Sequence, residues 1–288
     1  MPKFGKILYL LFICTILTGL RAYSQNPKIE HCLLGVMTFN IRLDTQEDGK
    51  NAWPYRKTAV IKMLQKTHPA IIGLQEALHH QVEEVAKDLR DYAYYGVGRD
   101  DGKQAGEYCP IFFDSKIFSL KDSKTLWLSE TPEVPGSVGW DAACKRIVSI
   151  VLLKEKSSQR ELYVLNTHFD HRGETARIES AQMISRLCQE LSQKAPVILI
   201  GDFNASVETD VYKILSASST LREAQTIAEQ AEIADNCTFT GFDGGSCEHI
   251  DFIWVPQNAR VKLYKIILNQ TPQGWLSDHR PIYCEIEI

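Results

Sequence analysis

Basic residues are outnumbered in this 288-residue chain: 32 Lys and Arg stand against 36 Asp and Glu, a formal charge of −4, and no long basic loop occurs. Binding nucleic acid without regard to sequence requires a basic surface that displaces counterions from phosphates. The charge balance argues against that class globally and leaves room only for a local basic cleft. Apolar runs long enough to span a bilayer are also missing. The one sustained stretch, Ile7 to Leu20, falls short of the ~18 residues a spanning helix needs. It follows Lys3 and Lys6 and leads into Ala22-Tyr23-Ser24, the arrangement of a secretory signal. Residues 1–24 are therefore expected to be a signal peptide, with a secreted or periplasmic mature protein from 25–288 and no stable membrane span. Losing Lys3, Lys6 and Arg21 takes the formal charge to −7. No lipidation cysteine sits at the expected cut, since Cys32 lies too far on.

Internal repeats, low-complexity runs, linkers and Cys/His clusters at zinc spacing are all lacking. One domain over 25–288 is expected. Of eight cysteines, Cys14 leaves with the signal, and seven in an oxidising compartment leave at least one thiol unpaired. Cys237 and Cys247 flank "TFTGFDGGS", a plausible Gly-rich hairpin across which they could meet. A core of this size does not need disulfides, so buried thiols are the competing reading.

What is present is an alternation of strands and helices. Strands are expected over 33–41, 69–75, 92–98, 108–113, 125–129, 146–153, 161–169, 197–202, 237–240, 249–255, 261–268 and 281–288. Helices are expected over 56–67, 78–89, 174–193, 211–217 and 221–230; Ile184, Leu187, Cys188 and Leu191 carry the helical stripe in the third. The pattern is that of an α/β protein.

Polar residues collect where these strands end. "VILIGDFNAS" (197–206) runs four apolar residues through a glycine to Asp202 and Asn204, which an extended chain projects the same way. A turn alone would also explain them. Asn40, Glu76, Asn166, His168 and Asp170 close other strands, Asp251 sits inside apolar "HIDFIWV", and Asp278 and His279 precede the last strand. Each singly is consistent with a cap, a turn or a satisfied core polar group. Together they fall where open sheets carry their sites. Carboxylates and amide oxygens suit a hard cation such as Mg²⁺ or Mn²⁺. A histidine beside a carboxylate suits a charged imidazole stabilising a phosphate, and a further Asp held by Asn can deprotonate water. That set describes metal-assisted phosphoester hydrolysis.

The ordered series "MTFNIR", "IIGLQEAL", "GEYCPIFF", "NTHFDH", "GDFNAS", "HIDFIWV" and "SDHRPI" resembles the endonuclease/exonuclease/phosphatase superfamily over about residues 33–288. "GEYCPIFF" and "NTHFDH" look closest to its deadenylase/nocturnin-like and secreted bacterial branches. The resemblance implies a deoxyribonuclease I-like four-layer sandwich of two stacked mixed β-sheets flanked by helices, with the site at one end. It also implies roles. Glu76 matches the primary Mg²⁺ ligand with Asn40 beside it, and Asp278 a further metal-shell acid. Asp202 matches the residue that aligns the nucleophilic water, Asn204 a phosphate or leaving-side ligand, and His168 a phosphate-oxygen ligand. His279 matches the phosphate-binding imidazole, with Asp251 its orienter at hydrogen-bond distance. Tyr108, Arg146 and Arg172 are candidate substrate contacts; for Tyr108 a core position and for Arg146 a surface ion pair are the plainer alternatives. Trp53, with Pro54 opening a helix, either lines the cleft or packs. The expected activity is that of a Mg²⁺- or Mn²⁺-dependent phosphodiesterase or phosphatase, in a monomer. Its expected substrate is a small, sugar or lipid phosphate rather than nucleic acid; a secreted nuclease and an inactive binding module keeping the fold are the alternatives.

Overall fold

The computed structural model describes residues 1–2, 33–272 and 274–288, so the expected signal peptide lies almost wholly outside the described residues. One sheet is built from β1 (Leu33–Asn40), β2 (Ile71–Gln75), β3 (Tyr92–Tyr95) and β4 (Ile111–Asp114). The second holds β5 (Phe118–Trp127), β6 (Ile147–Glu155), β7 (Glu161–His168), β8 (Val197–Asp202) and β9 (Leu221–Glu223). The chain then supplies β10 (Ala231–Glu232), β11 (Asp251–Pro256), β12 (Arg260–Ile266), the small hairpin β13 (Gln270–Thr271) and β14 (Gly274–Trp275), and β15 (Ile282–Glu287). The first sheet runs β10-β12-β15-β1-β2-β4-β3 and the second β5-β6-β7-β8-β11-β9. Both are mixed: β1 is parallel to β2 and antiparallel to β15, and β7 is parallel to β8 while β11 is antiparallel to it.

Side-chain parity makes the layers. Val36, Ile71, Val164, Ile198, Ile200 and Ile253 meet between the sheets. Their odd-and-even neighbours turn outward: Met37, Phe39 and Ile72 pack with Val60 and Leu64 of α1 (Trp53–Thr67) and Val82 and Val85 of α2 (His79–Asp88). Leu165, Leu199 and Trp254 pack with Ile184 and Cys188 of α3 (Glu174–Ser192) and with Val211 and Leu215 of α4 (Asp210–Ser216). Helix, sheet, sheet, helix is the four-layer sandwich expected. It also explains the unbroken apolar run of β8, which is covered on both faces.

The same parity sends polar residues inward at one end. Asn40 continues the inward series of Val36, His168 that of Val164, Asp202 that of Ile200, and Asp251 that of Ile253. Register aligns them, with His168 opposite Asp202, Asp202 opposite Asp251, and Asn40 opposite Gln75.

Two expected elements differ. Residues 221–230 form no helix; Leu221 and Glu223 pair with Pro256 and Trp254 as an edge strand. The buried Glu223 carboxylate accepts N–H bonds from Gln225 (2.8 Å) and Thr226 (3.0 Å), turning the chain into a short 3₁₀ segment. Residues 237–240 form no strand; only Phe239 bridges, to Glu248 and His279. Cys237 and Cys247 form a disulfide with Cα atoms 4.9 Å apart, which settles that pair against the buried-thiol reading. Cys109, Cys144, Cys188 and Cys284 carry thiols.

Gly201, just before Asp202, is required by close backbone approach. A Cβ there would stand 2.2 Å from the Thr167 carbonyl oxygen of β7. Relief must come from the β7–β8 pairing itself, so Gly201→Ala is expected to destabilise the fold by about 1–3 kcal/mol or more. A denaturation midpoint indistinguishable from wild type would contradict this.

Candidate active site

The convergent strand ends open into a cleft of about 480 Å³. Glu76, Arg146, His168, Asp202, Asn204, Asp278 and His279 line it. Behind the wall, buried, stand Asn40 and Asp251. Three of the six described non-glycine residues with positive φ are here: Arg42 (59°), Glu76 (61°) and Asn204 (47°). Each follows a strand end by one or two residues, so the chain turns left-handed to present its side chain. Such conformations cost on the order of 1–3 kcal/mol each and persist only when surroundings enforce them.

The enforcement is visible. Asn40 Nδ2 donates to Glu76 Oε1 (3.0 Å) and to Asp202 Oδ2 (2.9 Å), while its Oδ1 accepts the Arg42 N–H (3.0 Å). The Leu43 N–H donates to Glu76 Oε2 (3.2 Å). The Asn204 N–H donates to Asp202 Oδ1 (2.9 Å). Buried Arg56 of α1 donates from Nη1 to the carbonyls of Ile41 (2.8 Å) and Leu276 (2.7 Å), tying together the segments that carry Arg42 and Asp278. Ser277 Oγ donates to the Asn40 carbonyl (2.7 Å).

Charge follows from these contacts. Burial alone would lower the His279 pKa, but Asp251, whose Oδ2 lies 2.9 Å from Nδ1, and Asp202 push it up to about 10. The expected carboxylate–imidazole contact is formed, and His279 is an imidazolium at neutral pH. Burial and the Asp251 charge push Asp202 up to about 7. Against the burial penalty, the Asn40 hydrogen bond and the charges of His279 and Arg42 hold Glu76 below its ordinary value. Burial and the Glu76 charge raise Asp278, against the pull of His279 and Arg42. Burial, reinforced by Arg146 and Arg99, drives His168 well down, so it is neutral. The Asn204 amide donates to the Phe169 carbonyl (3.0 Å), which orients its nitrogen; the same nitrogen lies 3.1 Å from His168 Nε2, making that atom the acceptor.

Several sequence expectations need correction. Asn40 stands behind the wall, with Nδ2 bridging two carboxylates and Oδ1 accepting the Arg42 N–H, so that it positions the acids. Tyr108 is buried, its hydroxyl donating to the Lys103 carbonyl (2.8 Å), and does not line the cleft. Arg172 is exposed and also absent from the wall; its neighbour His171 lines it instead. Trp53 packs, with Nε1 donating to Glu84 (2.7 Å). Arg146 is buried rather than in a surface pair. Its Nη2 lies 3.0 Å from His171 Nδ1, its Nε 3.4 Å from Asp170, and Nη1 has no protein partner among the described residues. Arg42, Arg99, Glu107, Phe239 and Glu248 also line the cleft and were not singled out. Arg99 and Glu107 form a two-point pair (2.6 and 2.7 Å). Only Arg42 and Glu107, inside "MTFNIR" and "GEYC", lay within recognised motifs.

For a cation, the carboxylates of Glu76 and Asp278 face Arg42 at 3.8 and 3.9 Å, and each of their oxygens accepts at most one hydrogen bond, which leaves lone pairs for an ion. An oxygen-only set of this kind fits a hard divalent ion. Asp202, Asp251 and His279 also cluster tightly, but an imidazolium carries a proton on both ring nitrogens and offers no lone pair to a cation.

A protonated, carboxylate-held imidazole facing a carboxylate whose pKa burial raises, beside oxygen donors for a divalent ion, is machinery for metal-dependent phosphoester hydrolysis. Residues 37–279 match the Endonuclease/Exonuclease/phosphatase family, and the chain belongs to it. Among solved structures, an endonuclease/exonuclease/phosphatase from Bacteroides vulgatus superposes with a TM-score of 0.85 at 37% identity, covering 89% of this chain and 99% of that one. A mannosyl-6-phosphatase from Bacteroides thetaiotaomicron gives 0.83 at 33%, covering 88% and 100%. Human nocturnin is 25% identical over 88% of this chain, which spans 65% of nocturnin's own length.

Removing the Asp251 charge isolates the imidazole. Asp251→Asn is expected to lower the His279 pKa from about 10. In the folded protein an elevated histidine pKa stabilises below the unfolded value of about 6.5, and that stability is lost as pH rises toward the folded value. The variant should therefore lose stability most at pH 6 and below and least at pH 10. Imidazole NMR titration and denaturation at the two pH values check this; an unshifted His279 would contradict it.

Proposed function

We propose that the protein is an exported, Mg²⁺- or Mn²⁺-dependent phosphatase of phosphorylated sugars. The observation that carries this reading is the likeness to the mannosyl-6-phosphatase, which extends over the whole of that chain. The acidic balance supports it: of the arginines in the cleft wall, Arg99 and Arg42 are neutralised by Glu107 and Asp48. Export is supported by the amino-terminal pattern of Lys3, Lys6 and Ile7 to Leu20.

Glu76 and Asp278 would hold the cation, which when bound neutralises phosphate charge and stabilises what develops on the phosphoryl oxygens. Asp202, poised near neutrality and fixed by Asn40 and Asn204, accepts the proton of the attacking water. The water oxygen bonds to phosphorus as the bond to the sugar oxygen breaks, and solvent protonates the leaving alkoxide. His279, an imidazolium with Nε2 3.7 Å from Asp202, donates to a phosphoryl oxygen. The Asn204 N–H braces Asp202, neutral His168 accepts the Asn204 amide proton at Nε2, and Arg146 lines the cleft beside the substrate.

Phosphate release is the direct test, across sugar phosphates, lipid phosphates, inositol phosphates and nucleic acids with Mg²⁺ or Mn²⁺. Sugar phosphates should be hydrolysed fastest, EDTA should abolish turnover, and Asp202→Asn should lower kcat by about 10²–10⁴. Faster cleavage of nucleic acid would sink the substrate reading, and EDTA-resistant turnover the metal. The amino terminus of protein exported by the native host should lie near Gln25; an intact apolar stretch would refute export with cleavage.

A further inference from the structure

We propose that the disulfide-bounded loop Cys237–Cys247 and the residue after it form the sugar-recognition element of this cleft, with Phe239 as an apolar platform for the ring and Glu248 as acceptor for its hydroxyls. The inference rests on the sugar-phosphatase reading. Phe239 and Glu248 both line the cleft. They are bridged to each other by backbone bonds of 2.9 and 3.1 Å, so their positions are coupled. Phe239 also bridges to His279, and its ring centre lies 4.9 Å from the imidazole. This places its half-buried face directly beside the group assigned to the phosphate. The Glu248 side chain is exposed and makes no hydrogen bond or ion pair among the described residues. An unengaged carboxylate beside a phosphate site repels a second anion and accepts hydrogen bonds from neutral hydroxyls, selecting a polyol over a polyanion.

The loop is fixed at both margins. The disulfide joins its ends, and the Thr240 N–H donates to the Asp278 carbonyl (2.9 Å) and the Arg280 N–H to the Thr238 carbonyl (2.6 Å). The element that would read the sugar is thus registered against the segment carrying Asp278 and His279. Cross-linking a ten-residue separation removes much of the loop's alternative freedom.

The test compares kcat/KM for a hexose 6-phosphate with that for ethyl phosphate, which has a primary alkyl leaving group and no hydroxyls. Wild type should prefer the sugar ester, and Glu248→Gln should reduce that preference about tenfold, the loss of one charge-assisted hydrogen bond. Phe239→Leu should reduce it mainly through KM for the sugar. The Cys237→Ser/Cys247→Ser double variant, confirmed folded by its melting transition, should also reduce it. A wild-type enzyme without preference for the sugar ester would refute the sugar-phosphatase reading itself. A preference that survives Glu248→Gln and Phe239→Leu unchanged would overturn only the recognition element, and one that survives the double variant would overturn the role of the disulfide.

Discussion

A single amide nitrogen, Asn40 Nδ2, reaches from one sheet to a carboxylate on the other while holding a second carboxylate on its own side. Asp202 is almost fully buried, and Glu76 is close to it. Two such acids without donors would protonate or drive the sheets apart, because an unpaired buried charge costs several kcal/mol. A second polar bridge lies behind the first: Gln75 Nε2 donates to Asn166 Oδ1 (2.6 Å), and Asn166 Nδ2 donates to the carbonyls of Leu74 and Pro110. Gly73 allows this approach, since a Cβ there would stand 2.5 Å from Ile200 and 2.9 Å from Asn166. The end of the sandwich is thus held by directional bonds, where the middle is held by apolar burial.

This division explains how the cleft keeps conflicting charges at fixed positions. Asp251 sustains the His279 imidazolium; that cation in turn favours ionised Glu76 and opposes the burial penalty on Asp202. Arg42 stands off both Glu76 and Asp278, anchored instead by Asp48 at 3.0 Å through two nitrogens. The left-handed turns at Arg42, Glu76 and Asn204 sit within this network and draw their enforcement from it. Backbone strain, buried charge and function coincide because the same hydrogen bonds serve all three.

Much was legible in the chain because strands have a period of two. Alternation read along β1, β7, β8 and β11 states which residues face inward, and the polar exceptions to it include Asn40, Asn166, His168, Asp202 and Asp251. The ordered motifs carried the family. Less legible were elements whose structure depends on one side chain meeting a distant backbone: Leu221–Glu223 has helical composition but is turned by its own glutamate. Tyr108 sits next to cleft-lining Glu107, and parity turns the tyrosine the other way.

By itself the sequence determined the α/β class, the inward face of each principal strand and the acids, amides and histidines that face can present. These follow from local chain geometry and from the free energy of burying apolar surface. Only the tertiary structure decided that Asn40 donates to both Glu76 and Asp202, that Arg146 is buried with one nitrogen unpartnered, and that Cys237 meets Cys247 beside Phe239 and His279. The reason is physical: which way an amide points and which proton an imidazole keeps are set by partners remote in sequence, 162 residues away for Asn40 and Asp202.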